Sequence, residues 1–354
     1  MDSITQAVLG ASLQGALLGR WQGRKALLYG AMLGTLPDMD VVIDYGDAVA
    51  NMTYHRGFSH SLLVVSLVSV LLAWAIRRFR PHPGYNGLRL WLCIWLVLTT
   101  HILLDAFTTY GTQLFWPLTT PPVAISSIFI IDPLYSVPLL LAVLIALVAG
   151  LHRACGRRAQ VIALTLSSLY LVSTLAGKHM AGQQLERALA AASIQPQATF
   201  VSPTPFNTLL WRVVAVDGDD YYEGLVSWLD KQPLQLERLP RRADEAQPVL
   251  EDSPQHQRLR WFTQDLLRYD LIEGQWVVTD LRLGMTGYHP FRFALSQRDP
   301  QDGSMQLIDF VGTWPTPGAD WSALRALGQR AVDERYPLSL ARLAEGLALP
   351  PTTP

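Results

Sequence analysis

The run from 61 to 76 carries no formal charge, and five further apolar runs precede residue 180, at 4–18, 26–36, 90–104, 133–151 and 159–177. Such segments restrict the fold before any other property is considered. In lipid a backbone must satisfy its own polar groups, which leaves helices for segments of this kind. The run at 26–36 is short of the ~20 residues that cross a bilayer, so it is expected to re-enter or to tilt among its neighbours. Gly10, Ala11, Gly15 and Ala16 in the first run, and Gly30 and Gly34 in the second, suit close helix packing. The whole chain is 16% charged, low against the ~25% of soluble domains.

Beyond Lys178 the pattern changes. Alternating and aromatic runs at 209–216, 221–228, 275–283 and 291–295 are separated by the turn signals Asp217-Gly218-Asp219 and Glu273-Gly274. Stretches 321–329 and 338–347 read as helical. The expected architecture is an all-α membrane bundle of about four to six membrane segments over 1–178. A soluble α+β domain, mainly β, is expected over 179–354.

Loop charge gives an orientation. The loops after the first, third and fifth runs hold Arg20, Arg24, Lys25, Arg77, Arg78, Arg80, Arg89, Arg153, Arg157 and Arg158, whereas the two opposite loops hold only Arg56. Basic loops stay in the cytoplasm. If all six runs cross, the N-terminus and the C-terminal domain lie outside. Asp2, Asp38, Asp40, His55, His60, His101, Asp105 and Asp132 then gather at the outer membrane face.

Those residues carry the chemistry. Imidazole nitrogen and carboxylate oxygen suit zinc, with manganese as an alternative. His101 and Asp105 are four apart on one predicted helix face, so both can ligate, or Asp105 can orient His101 from behind. Asp38 and Asp40 follow Pro37, and on an extended segment both would face one centre. His55 and His60 flank Arg56-Gly57-Phe58-Ser59, with Ser59 available to cap the following helix. The predicted metal ligands are Asp38, Asp40, His55, His60, His101 and Asp105. Arg56 can grip an anionic substrate oxygen bidentately, or pair with Asp38, Asp40 or Asp44. One of the Asp38 and Asp40 carboxylates, Asp40 for preference, can serve as general base instead of ligand. Asp44 and Asp47 read as solvated loop charges, and Asp2 and Asp132 as helix N-terminal residues.

Other classes find little support. A net charge of −1 offers no electrostatic case for nucleic acid. Cys93 and Cys155 make neither a zinc cluster nor a disulfide framework. Asp2 and the absence of a basic leading region predict no cleavable signal peptide. No nucleophile elbow or phosphate-binding Gly loop occurs, and His179 and His289 stand alone as structural residues.

Asp2 with Thr5, the Leu36-Pro37-Asp38-Met39-Asp40 box, His55-Arg56-Gly57-Phe58-Ser59-His60-Ser61, and Thr100-His101-Ile102-Leu103-Leu104-Asp105 through Thr109-Tyr110-Gly111 to Trp116-Pro117 resemble the YdjM-type membrane-bound metal-dependent hydrolases. The resemblance covers roughly the first 135 residues. It implies an integral protein of a bacterial-type inner membrane, with a metal-binding helical core distantly related to zinc phospholipase C and zinc nucleases. Some relatives carry histidine where this chain has Gln6. The expected activity is metal-dependent hydrolysis of a small-molecule or lipid phosphoester, with membrane lipid as partner. The rival is a non-catalytic scaffold with a structural metal and a partner-binding outer domain.

Overall fold

The structure is a computed structural model that describes residues 1–316 and 321–350. The chain forms two compact units. One contains Met1–Ile43, His55–Leu175 and Pro205–Asn207, and the other contains Asp44–Tyr54, Ala176–Thr204 and Thr208–Pro354.

In the first unit, α1 (Ser3–Gln22) is started by Asp2, whose carboxylate accepts from the Thr5 amide, so the cap expected there is present. α2 (Lys25–Thr35) crosses α1 at glycine. A Cβ built on Gly10 would stand 2.2 Å from the Gly30 carbonyl oxygen, and one on Gly34 would stand 2.5 Å from that of Gln6. Only glycine permits this approach. A 3-10 helix, Pro37–Val42, follows α2 and carries Asp38 and Asp40.

Among the described residues three helices are long and apolar enough to span a membrane: α4 (Leu62–Phe79), α5 (Gly87–Ala106) and α7 (Ala154–Ala191), where α3 (Ala48–Tyr54) belongs to the second unit. The apolar α6 (Pro133–Ala149) is shorter. Its N-terminus is capped by Asp132, whose Oδ1 accepts from the Leu134 and Tyr135 amides, as expected. α1 has the length but not the composition, because it buries Thr5, Gln6, Ser12 and Gln14. α7 is continuous past the run at 159–177 and the change of pattern at Lys178. α5 is the most enclosed of the three, with Leu90, Ile94, Leu98 and Ile102 packed among Leu18, Val65 and Ala73. That enclosure is what keeps His101 and Asp105 away from lipid.

The second unit contains two four-stranded antiparallel sheets, each in sequential order. The first comprises β1 (Ala198–Pro203), β2 (Leu210–Asp217), β3 (Asp220–Ser227) and β4 (Glu237–Pro240). Between the sheets lie α8 (Ala243–Leu250) and α9 (Pro254–Thr263). The second sheet comprises β5 (Leu267–Ile272), β6 (Gln275–Asp280), β7 (Arg292–Arg298) and β8 (Met305–Leu307), followed by α10 (Trp321–Val332) and α11 (Leu340–Glu345). Both predicted turns close hairpins, with Asp217 facing Asp220 and Ile272 facing Gln275. Phe200, Val214, Val216 and Tyr221 of the first sheet share a core with Leu266 and Leu281 beside the second. Buried arginines brace it across the sheets: Arg212, paired with Glu223, donates to the Leu281 carbonyl, and Arg268, paired with Asp270, donates to the Tyr221 hydroxyl. α3 packs here too: the Arg258 guanidinium of α9 lies 3.6 Å from the Tyr54 ring centroid.

Candidate metal centre

Four side chains converge in the first unit. Asp38, His60, His101 and Asp105 each offer one donor atom, and the four atoms lie within 4.8 Å of one another. His60 Nε2 is 3.4 Å from Asp38 Oδ1 and 3.1 Å from Asp105 Oδ2. His101 Nε2 is 3.5 Å from Asp38 Oδ1 and 3.3 Å from Asp105 Oδ2. The two Nε2 atoms are 3.3 Å apart. Those five separations are near the about 3.3–3.4 Å edge of a tetrahedron built on zinc bonds of 2.0–2.1 Å, whereas the four atoms taken together are bounded only at 4.8 Å.

The second nitrogen of each ring fixes its orientation. His101 Nδ1 donates to the Gly34 carbonyl at 2.6 Å. His60 Nδ1 bonds Ser59 Oγ at 2.9 Å, and Ser59 donates to Asp40 Oδ2 at 2.7 Å. With both Nδ1 atoms so engaged, the Nε2 lone pairs point at each other and at two carboxylates. Asp38 Oδ1 is buried with no hydrogen bond. Burial works to raise the Asp38 carboxyl, but His101 and His60 outweigh it and hold it below the usual carboxylate range. Four electron-pair donors in a dry site fit a divalent cation.

Asp40 and His55 form a separate pair. His55 Nδ1 bonds Asp40 Oδ1 at 2.9 Å, and its Nε2 has no hydrogen bond among the described residues. Burial raises the Asp40 carboxyl, but hydrogen bonds from His55 and Ser59 outweigh it and hold it below its ordinary range. The expectation that Asp38 and Asp40 face one way is corrected here. They stand on a 3-10 helix, where three residues make a turn and residues two apart diverge. Ser59 does not cap α4 as expected; it bridges Asp40 to His60, and Ser61 occupies the cap position with its Oγ donating to the Trp116 carbonyl instead of accepting from the helix.

Arg56 is buried beside the cluster. Its Nη2 is 3.3 Å from Asp105 Oδ1, Nη1 donates to Thr108 Oγ1 at 3.2 Å, and Cζ lies 4.9 Å from the Tyr110 ring centroid. Its Nε has no hydrogen-bond partner among the described residues. Its backbone takes φ 60°, the left-handed region. The Arg56 amide donates to Asp40 Oδ2, which ties that turn to the Asp40–His55 pair.

Several groups at the site are given no contact or role by the sequence alone. The Met1 amino group and Gln6 Nε2 both donate to Asp105 Oδ1. Thr108 and Tyr110 come from the loop after α5, which is held against 56–62 by the Gln113 and Leu62 amides. Their signal was faint: a loop free of Lys and Arg beside two histidine motifs. Asp44 and Asp47 lie in the second unit, where each accepts from a nearby backbone amide.

The sequence pattern of the family described as YdjM inner membrane protein matches residues 1–181. The chain belongs to that family. The YfhP protein of Bacillus subtilis (strain 168) is 27% identical over 231 residues, 63% of this chain and 68% of that protein. The inner membrane protein YbcI of Escherichia coli (strain K12) is 38% identical over 94 residues, 26% of this chain and 52% of YbcI. The chain thus spans about half of YbcI. No solved structure matches. For this YdjM family member the match covers α4, α5, most of α7 and every residue of the Asp/His cluster.

Proposed function

We propose that this YdjM family member is a membrane-embedded, metal-dependent hydrolase of phosphoesters, its substrate a lipid head group or a small phosphodiester at the outer face of the inner membrane. Asp38, His60, His101 and Asp105 would hold the metal, with zinc favoured by the two imidazoles and two carboxylates and manganese the alternative. When bound, the metal polarises the phosphoryl group and lowers the pKa of a coordinated water toward ~7. Arg56 binds a phosphoryl oxygen through the guanidinium edge that carries its unpartnered Nε. Asp40 is reassigned from ligand to the carboxylate that orients His55. His55 delivers a proton from Nε2 to the leaving oxygen as the bond from phosphorus breaks, then recovers it from water through its partly exposed edge.

The observation that carries this reading is the buried Arg56 beside a ligand carboxylate, next to an Asp–His pair. A metal that only stabilises a fold has no use for either. A structural centre is the second reading, favoured by the four protein donors, which already fill a four-coordinate shell.

One variant set separates them. His55→Gln is expected to keep its metal, to lose about a hundredfold or more on phospholipids and alkyl phosphodiesters, and to stay near the parent on 4-nitrophenyl phosphodiesters, whose leaving group needs no proton. His60→Ala is expected to lose metal and all turnover together. Zinc- or manganese-loaded parent protein that hydrolyses nothing across that panel would overturn the hydrolase and leave the structural centre standing.

A further inference from the structure

A second site lies at the other end of the first unit. α1 and α5 leave a groove of about 560 Å³ between them, within the ordinary size range of ligand pockets. Leu88, Leu92 and Leu96 line one wall at a helical spacing of four, and Leu17 of α1 lines the other. That wall runs about 12 Å along α5. Along α5 the arginine end of the groove, at Arg89, stands about 18 Å from His101 and its inner end, at Leu96, about 7.5 Å, and none of its lining residues belongs to the Asp/His cluster.

The mouth of the groove is cationic. Arg20, Arg89 and Arg157 line it together with Trp21, and none of the lining residues is Asp or Glu. The Arg89 guanidinium stands 4.7 Å from the Trp21 ring centroid and that of Arg20 stands 6.0 Å from it. Trp21 therefore gathers two exposed arginines at one end of an apolar track. Neither arginine has a carboxylate partner among the described residues. Exposed arginines at a helix end ordinarily snorkel singly toward water. Here they converge, and the α5 N-terminus adds positive potential of its own.

We propose that this groove binds an anionic phospholipid, with the head-group phosphate between Arg20 and Arg89 against Trp21 and one acyl chain along Leu88, Leu92 and Leu96. The two halves of the groove, charged and apolar, match the two halves of that molecule. A free phosphate would leave the leucine wall uncovered. A zwitterionic lipid would bring its ammonium group to the arginines.

The test uses the full-length protein purified in mild detergent. Native mass spectrometry with equal phosphatidylglycerol and phosphatidylcholine added is expected to show the parent retaining phosphatidylglycerol preferentially. Arg20→Gln/Arg89→Gln is expected to retain at least about tenfold less. Leu92→Trp, which fills the track and leaves the arginines in place, is expected to lose the same lipid and so covers the case in which the double variant fails to fold. Equal retention of the two lipids by the parent overturns the proposal, as does undiminished phosphatidylglycerol in the folded variants. If inorganic phosphate competes as well as the lipid does, the leucine wall plays no part and the proposal also falls.

Discussion

Replacing Gly30 by alanine tests whether the α1–α2 crossing sets the metal centre. The new Cβ would lie 2.2 Å from the Gly10 carbonyl oxygen and 2.8 Å from Gln14 Cβ. Ordinary contact begins near 3.4 Å, so α2 must retreat by about 1 Å. The overpacking costs about 1–3 kcal/mol, offset in part by the ~1 kcal/mol by which alanine is the better helix former. The consequence for the site comes one turn later. The Gly34 carbonyl accepts from His101 Nδ1 at 2.6 Å, and a retreat of ~1 Å takes that contact to the edge of hydrogen bonding. A ligating histidine that loses its orienting partner binds metal about 10–100-fold more weakly. Zinc affinity by chelator competition, measured on folded protein in detergent, is the assay. Gly182→Ala is the control, since nothing lies within 4 Å of a Cβ there; it should leave zinc affinity untouched. Parental affinity in folded Gly30→Ala would refute the claim that the glycine crossing positions His101.

Reporter fusions near Arg80 and Arg157 should read cytoplasm and fusions after Lys178 should read outside, given where Lys and Arg concentrate; a cytoplasmic reading beyond Lys178 would reverse the proposed orientation. His289 is fully buried and donates from Nδ1 to the Leu283 carbonyl, and burial, aided by Arg212, holds its pKa well below 6.5. The fold therefore keeps it neutral while the unfolded chain takes up a proton near pH ~6.5, so its contribution is complete above that pH and declines by up to about 1.4 kcal/mol per pH unit below it. Thermal midpoints at pH 7.5 and 5.5 should differ more in the parent than in His289→Gln, and equal differences would show that His289 is not held neutral.

The candidate site was legible in the sequence to the extent that its residues sit on regular structure. His101 and Asp105 are one helical turn apart on α5, and that spacing survives any detail of packing. Asp2 and Asp132 were readable as caps because capping is local chemistry. Asp38 and Asp40 were not separable, since an extended segment and a 3-10 helix both follow from Leu36-Pro37 and send alternate residues in different directions. β1 and β5 escaped notice for a different reason. Both are mostly buried and carry Arg268, Asp270 and Ser202 inward, so the alternation that marks a half-exposed strand is absent.

The segment between the two halves of the site shows the limit most clearly. Asp38 and Asp40 end in one compact unit and His55 resumes it, yet Asp44–Tyr54 between them belongs to the other. Read along the chain, Asp44 and Asp47 look like solvated charges in a short connection. In three dimensions α3 has a set of partners hundreds of residues away in sequence: the Ala48 amide donates to the Val311 carbonyl, Arg258 bonds Thr53 and stacks on Tyr54, and Gln255 reaches Asp47. No local pattern encodes such partners. The arrangement also bears on chemistry. Asp40 and His55, the pair proposed to handle the leaving group's proton, bracket that excursion directly. Their separation along the chain is therefore spanned by a helix whose packing depends on C-terminal residues, whereas His101 and Asp105 are held by residues of the first unit, the Gly34 carbonyl, Gln6 and Arg56. The metal ligands of α5 and the proton-handling pair thus rest on different parts of the fold, and mutations in α9 should reach the second without disturbing the first.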